Sequence, residues 1–239
     1  METFISDIKE KFRYGDTLTR LILINIGVFI AIAVVKVIFI LLGLTNNATW
    51  NHNFEWSWNL GDFLARPWTI ATYMFTSYGV WHLLFNMFTL YWFGQRFQSL
   101  YTNSQLRGVY VLGAFSGMIF FTLVFNLFPG LQTKDFLWTM PGTSTAVIAI
   151  ASATAFRAPN YMQKIPLIGF IPIKYLAITL IVTDIALIPN INPATDFAHL
   201  GAGLLGFLFV KSHRHGTDIT KPITSIAVLL DKLFSKKKD

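Results

Sequence analysis

Three places in the 239-residue chain put reactive side chains into otherwise apolar sequence. His82 and Asn86 stand in W-H-L-L-F-N-M, and His199 stands in A-H-L-G-A-G-L-L-G. Between them, the hydroxyls of Thr143, Ser144 and Thr145 follow Pro141-Gly142 in T-M-P-G-T-S-T-A-V. A hydroxyl beside an imidazole can act as an activated nucleophile. His82 and Asn86, spaced i, i+4, share one helical face. Two neutral donors on one face suit a developing oxyanion, where each donor is typically worth about 2.7–4 kcal/mol in acyl transfer. The same residues admit plainer roles. Ser and Thr cap helix starts, an H-x-x-x-N pair can clamp two helices, and a lone His can be a hydrogen-bonded structural residue. Choosing between these roles requires the position of each residue relative to a bilayer.

A bilayer is indicated by composition. The chain is 54% hydrophobic and 13% charged, whereas soluble domains carry about a quarter charged residues. Apolar runs approaching the roughly 20 residues needed to cross a membrane fall at 21–44, 79–95, 106–128, 142–156, 170–188 and 196–212. Residues 1–20 contain four acids and four bases and no apolar core, so no secretory signal is expected and the first span targets the chain itself. The absence of cysteine excludes disulfides and thiol chemistry. The expected division is a cytoplasmic segment 1–20, a membrane domain 21–212 and a basic tail 213–239.

The net charge of +7 is distributed by side of the membrane. Of 19 bases, 16 precede the first span, join spans two and three or four and five, or follow the sixth. Arg66 and Lys134 alone occupy the opposite loops, and Lys36 lies within the first span. This is the positive-inside pattern with both termini cytoplasmic, and it argues against nucleic acid as the partner. The first external loop, about 45–78, holds Trp50, Trp56, Trp58 and Trp68, with Trp81 just after it. Trp favours the headgroup region, so this loop is expected to lie half sunk in the outer leaflet. The stretch from Ile223 to Phe234, followed by a lysine run, fits either an interfacial helix or a solvated tail.

With this topology spans two, four and six all run inward and carry their polar residues near their outer ends. Such residues are costly in lipid and usually face a bundle interior or a water cavity. Span four, Gly142 to Phe156, gives roughly 22 Å of helix against a hydrocarbon core of about 30 Å. Anchored inside at Arg157, it stops short of the outer surface, and the preceding loop, including Asp135 to Pro141, dips into the membrane. Non-helical backbone at that depth must be buried by protein or line water. Spans four and six are rich in Gly, Ala, Ser and Thr, which lets helices approach closely and lets a Ser and a His meet.

These features together resemble the rhomboid intramembrane serine proteases, over roughly residues 20 to 212. The resemblance rests on W-H-L-L-F-N-M, G-T-S-T and A-H-L-G-A-G-L-L-G, in that order and topology. It implies an all-α, six-span bundle of the prokaryotic type in a bacterial cytoplasmic membrane, with a membrane-associated first loop. It implies Ser144 as nucleophile, His199 as general base, and His82 and Asn86 as oxyanion donors. The backbone N–H of Ser144, at a helix start, is expected to join them. Thr143 and Thr145 then serve in capping or packing. Substrates are expected to be transmembrane helices of other proteins in the bilayer, with no cofactor and no metal.

The sequence departs from the family pattern where Gly commonly follows the serine (here Thr145), where an aromatic commonly stands four residues after it (Ile148), and where Gly commonly follows the His by three (Ala202). These leave the dyad intact and bear on rate, substrate range and the spacing of helices four and six. Asp184 and Asp196 are the carboxylates that could orient His199, although the resemblance implies a dyad without a third member; Asp184 could instead pair with Lys36. His213 and His215 lack the companions of a metal site. Two other functions fit parts of the pattern, a non-cleaving relative that binds membrane helices and a transporter, but the chain keeps both Ser and His and shows no inverted repeat.

Overall fold

The computed structural model describes residues 2–44, 50–128, 130, 139–165, 169–187 and 193–226. Helix α1 (Glu2–Tyr14) leads into α2 (Thr17–Leu41), which starts where the Asp16 carboxylate accepts the Thr19 N–H at 2.7 Å. Along α2 the buried residues are Thr17, Leu18, Leu21 and Asn25. Its second half presents Val34, Val37, Ile38 and Leu41 outward, as lipid contact requires.

The first loop is folded rather than open. It contains strand β1 (Trp56–Ser57) and the short helices α3 (Leu60–Ala65) and α4 (Thr69–Thr72). Trp56 donates its indole N–H to Thr122 Oγ1 at 2.9 Å, and Trp58 stacks on Phe125 with ring centres 5.8 Å apart. Both partners lie on α6 (Asn103–Leu127), so the loop packs along that helix. Trp50 and Trp56 turn into the protein, whereas Trp68 and Trp81 face outward. Part of the tryptophan signal is therefore core packing. The expected sinking of the loop into lipid concerns only its outward face.

Helix α5 (Val80–Leu100) is followed by α6 (Asn103–Leu127), whose start is a capping box between Thr102 and Gln105. Strand β2 (Thr139–Met140) pairs antiparallel with β1, Trp56 opposite Met140, and leads into α7 (Thr143–Arg157). Every residue of α7 from Thr143 to Ala155 except Ile148 is buried. It is the central helix, with α5, α6, α8 (Ile173–Leu187) and α9 (Pro193–Arg214) around it. Small side chains allow this: Ala149 lies so close to α6 that a Cβ at Gly113 would fall 2.3 Å from its own.

A hairpin absent from the sequence reading, β3 (Met162–Ile165) and β4 (Gly169–Pro172), follows α7. It moves the start of the fifth expected run, now α8 (Ile173–Leu187), from 170 to 173, just after Pro172, the last residue of β4 and the partner of Met162. Helix α9 (Pro193–Arg214) is followed by Gly216, whose φ of +79° lets the chain turn back. Beyond it, Asp218 accepts from Gln105 Nε2 at 3.0 Å and Thr220 is fully buried against Gly108. Packing thus continues past residue 213. Residues 221–226 are helical, and the rest of the expected Ile223–Phe234 helix lies outside the described residues.

Each of the six expected runs is largely helical, as α2, α5, α6, α7, α8 and α9, and the described residues are mostly helical with two short strand pairs. By length and composition α2 and α6 are long and apolar enough to cross a membrane, and α8 carries a shorter apolar stretch.

Candidate active site

The starts of α5, α7 and α9 are tied together at one end of the bundle. Thr143, the first residue of α7, donates its hydroxyl to the Thr76 carbonyl at 2.8 Å, four residues before α5 begins. Tyr78 Oη lies 3.2 Å from Thr195 Oγ1 in the first turn of α9. At the other end, Arg214 of α9 donates to the Phe156 carbonyl of α7 at 3.3 Å. The two helices therefore run parallel.

Ser144 sits in the first turn of α7, where the backbone is fixed on both sides. The Gly142 N–H donates to the Tyr73 carbonyl at 2.7 Å, and a Cβ at Gly142 would fall 2.3 Å from the Tyr73 ring. Only glycine fits that approach. Of the three adjacent hydroxyls, two are engaged by backbone: Thr143 Oγ1 by Thr76, and Thr145 Oγ1 by the Gly142 carbonyl at 2.7 Å. Neither accepts an N–H in the manner of a helix cap, and Gly142 provides no side chain for one. The third, Ser144 Oγ, lies 2.8 Å from His199 Nε2.

The approach of α9 to α7 rests on glycines. A Cβ at Gly201 would lie 2.5 Å from the Phe120 ring on α6, and one at Gly206 would lie 2.5 Å from the Ala149 carbonyl oxygen of α7. Ser152 Oγ donates to the Gly203 carbonyl at 3.0 Å, and Ser116 Oγ to the Gly201 carbonyl at 2.8 Å. Ala202 is fully buried, so the methyl that replaces the family's common glycine is accommodated in this spacing. Thr145 has a matching accommodation. A Cβ at Gly117 of α6 would lie 2.6 Å from its side chain, so the space for the extra atoms comes from the neighbouring helix. Ile148 borders a cavity of about 370 Å³ between α7, α8 and α9, which His199 and Asp196 also line.

His82 and Asn86 lie in the first two turns of α5, with Asn86 buried. The Tyr78 N–H, which can only donate, approaches His82 Nδ1 at 3.3 Å. A neutral ring has one acceptor nitrogen, so this contact and that of Asn86 with Nε2 are alternatives set by the tautomer. Asn86 Nδ2 donates to the His82 carbonyl at 2.9 Å and lies 3.2 Å from that Nε2. In the tautomer with the proton on Nε2 two N–H groups stand side by side, where a negative oxygen can accept from both; in the other, Asn86 donates to the ring.

The sequence reading missed three supporting residues. Asn25 of α2 is fully buried, accepts from Tyr110 Oη at 3.0 Å and lies 3.3 Å from Thr143 Oγ1, packing against the start of α7. An Asn inside an apolar span was the available signal. Tyr78 and Thr76 carried no such signal, since they precede the helix. The side chain of Asp184 lies outside the described residues. His213 packs edge-on against Tyr101, ring centres 5.0 Å apart. Among the described residues there is no group of three or more His, Asp or Glu placed to hold a metal.

α7 and α9 thus run parallel with a hydroxyl and an imidazole in contact between them. The family model of the Rhomboid domain matches residues 64–214. The chain belongs to the rhomboid family, whose members are integral membrane proteins and intramembrane serine proteases. No curated protein and no solved structure matches it.

Proposed function

We propose that this chain is an intramembrane serine endopeptidase that cuts transmembrane helices of other proteins within the bilayer. The observation that carries the reading is the 2.8 Å contact of Ser144 Oγ with His199 Nε2 across two helices. His199 takes the Ser144 proton as Oγ attacks the scissile carbonyl carbon. The tetrahedral oxyanion is held by His82 Nε2–H, Asn86 Nδ2 and the Ser144 N–H at the positive end of α7. His199 then protonates the departing amine as the C–N bond breaks, leaving an acyl ester on Ser144. Water, deprotonated by His199, hydrolyses the ester. A substrate helix must first unwind, because its carbonyl is otherwise engaged, so cleavage favours segments with Gly, Pro or small polar residues.

Six spans over 21–212 with both termini cytoplasmic are part of the same reading. Supporting it, basic side chains group at the bundle end away from the serine. Arg96 lies 4.0 Å over the Tyr161 ring, Lys174 donates to Asn160 at 2.8 Å, and Arg214 reaches the end of α7. Cytoplasmic bases belong at that end, with 213–239 as the basic tail and a bacterial cytoplasmic membrane as the setting.

The test is cleavage of a labelled single-span substrate by the purified protein beside Ser144→Ala and His199→Ala. Wild type is expected to cut and both variants to be inert. Residual cutting by Ser144→Ala would remove Ser144 as the nucleophile.

A further inference from the structure

A second cavity, of about 190 Å³, separates the outer half of α2 from the first loop. Its walls change character along α2. Phe29, Ile32 and Ala33 line the deeper part, and Lys36 lines the part nearer the end of the helix. These positions recur at i, i+3, i+4 and i+7, so one helical stripe faces the cleft. Opposite stand Phe54 and then a set of polar groups: Glu55, Ser77 and Trp50.

The polar end is chemically incomplete. Trp50 Nε1 and Ser77 Oγ are buried without a hydrogen-bond partner among the described residues. Glu55 is 4% exposed, and one of its carboxylate oxygens accepts from Thr139 Oγ1 at 2.6 Å. Among the described residues the ion pair within 4.0 Å is Arg66 with Asp62, so Lys36 and Glu55 face the cleft without closing on each other. Buried donors and charges left this way are costly unless something supplies partners.

We propose that this cleft binds a phospholipid with a primary-amine headgroup, its ammonium on the Glu55 carboxylate, its phosphate on Lys36, Trp50 Nε1–H and Ser77 Oγ–H, and its chain along Phe29, Ile32 and Ala33. The inference rests on α2 being a membrane span. Polar and apolar walls then lie in the order an outer-leaflet lipid presents, head toward the helix end and tail toward the bilayer centre. A zwitterion satisfies both separated charges at once, and a charged hydrogen bond on each side is stronger than a neutral one. At roughly 30 Å³ per molecule the cleft could hold a few waters instead, and water alone is the competing occupant. Burial drives the Glu55 carboxyl above its ordinary range, and a bound ammonium would restore its charge.

The test is native mass spectrometry of the delipidated full chain in detergent, with phosphatidylethanolamine, phosphatidylcholine or phosphatidylglycerol added, and with free phosphoethanolamine as competitor. Phosphatidylcholine keeps the phosphate but its quaternary ammonium has no N–H. Phosphatidylethanolamine is expected to be retained at least about tenfold better than the other two, a difference of about 1.4 kcal/mol. Glu55→Gln, which still offers Thr139 an acceptor, is expected to abolish that preference. Lys36→Gln is expected to weaken retention of all three lipids. Equal retention of the three lipids, or an unchanged preference in Glu55→Gln, overturns the proposal and leaves water as the occupant. Displacement by free phosphoethanolamine at concentrations equal to the lipid's overturns the lipid as the source. The readout is bound mass, so an inactive protease would leave it intact.

Discussion

Gly206 of α9 lies against the backbone of Ala149 in α7, so close that a Cβ there would fall 2.5 Å from the Ala149 carbonyl oxygen and 2.8 Å from the Ala153 nitrogen. Backbone atoms inside a helix cannot swing aside as a side-chain tip can. Gly206→Ala must therefore push the helices apart, and His199, seven residues earlier on α9, moves with it. Misplacing catalytic groups by about 1 Å can cost about 100-fold in rate. We expect Gly206→Ala to lose about that much cleavage while its circular dichroism stays helical. Gly203→Ala is the internal control. Its Cβ would meet only Ser152 Oγ, at 3.6 Å, and near-normal cleavage is expected.

The three hydroxyls at the start of α7 separate by assay. Thr143 is fully buried and its hydroxyl bonds the Thr76 carbonyl. Thr143→Val removes that donor from a buried acceptor, which costs about 1–3 kcal/mol. A lowered thermal midpoint with cleavage retained at low temperature is the expected result. Loss of cleavage at full stability would instead assign Thr143 a chemical role.

Thr145 and Gly117 form a pair across α6 and α7. Gly117→Ala places a Cβ 2.6 Å from Thr145 Cγ2 and 2.7 Å from its Cβ, so the single variant should be destabilised and cut slowly. Thr145→Gly empties the same space and brings the residue after the serine to the family's common glycine. The double variant is therefore expected to recover stability relative to Gly117→Ala, with a coupling energy of about 0.5–3 kcal/mol measured in a thermal double-mutant cycle. Purely additive effects would show that the two side chains do not limit each other.

Much of this arrangement was readable from residue types. Apolar runs located six helices, and a stripe of small residues marked the α7–α9 contact because close packing in lipid has few other chemical solutions. What escaped was set by tertiary structure. The β3–β4 hairpin and the pairing of β1 with β2 involve strands of two to four residues, too short for a period to register. The inward turn of Trp50 and Trp56 was hidden because an aromatic residue suits an interface and a core equally. Ser144 could be singled out from its threonine neighbours by their β-branching, which positions a nucleophile less well, and by the register of the resemblance. In the fold the distinction is physical, since the neighbours' hydroxyls are held by carbonyls and the serine's by an imidazole. Asn25 was visible as a polar residue in lipid but nothing in the sequence indicated that it packs against α7.

Glu55 should give the folded protein a distinctive pH dependence. It is buried within the first loop, and the removal of water raises its pKa above 4.5, opposed by the Thr139 hydrogen bond and by the charge of Lys36 on α2. Between the unfolded value and the raised folded value, the folded state holds a proton that the unfolded state has released. Stability from this group is thus fully present below about pH 4.5 and falls as pH rises through the folded pKa. In a detergent without amine headgroups, the thermal midpoint of wild type should decline across that window relative to Glu55→Gln, which cannot titrate. Adding phosphatidylethanolamine should flatten the difference, because an ammonium beside the carboxylate favours its charged form. Parallel wild-type and Glu55→Gln profiles in the lipid-free detergent would mean that the carboxyl is already compensated within the protein, by Lys36 moving onto it.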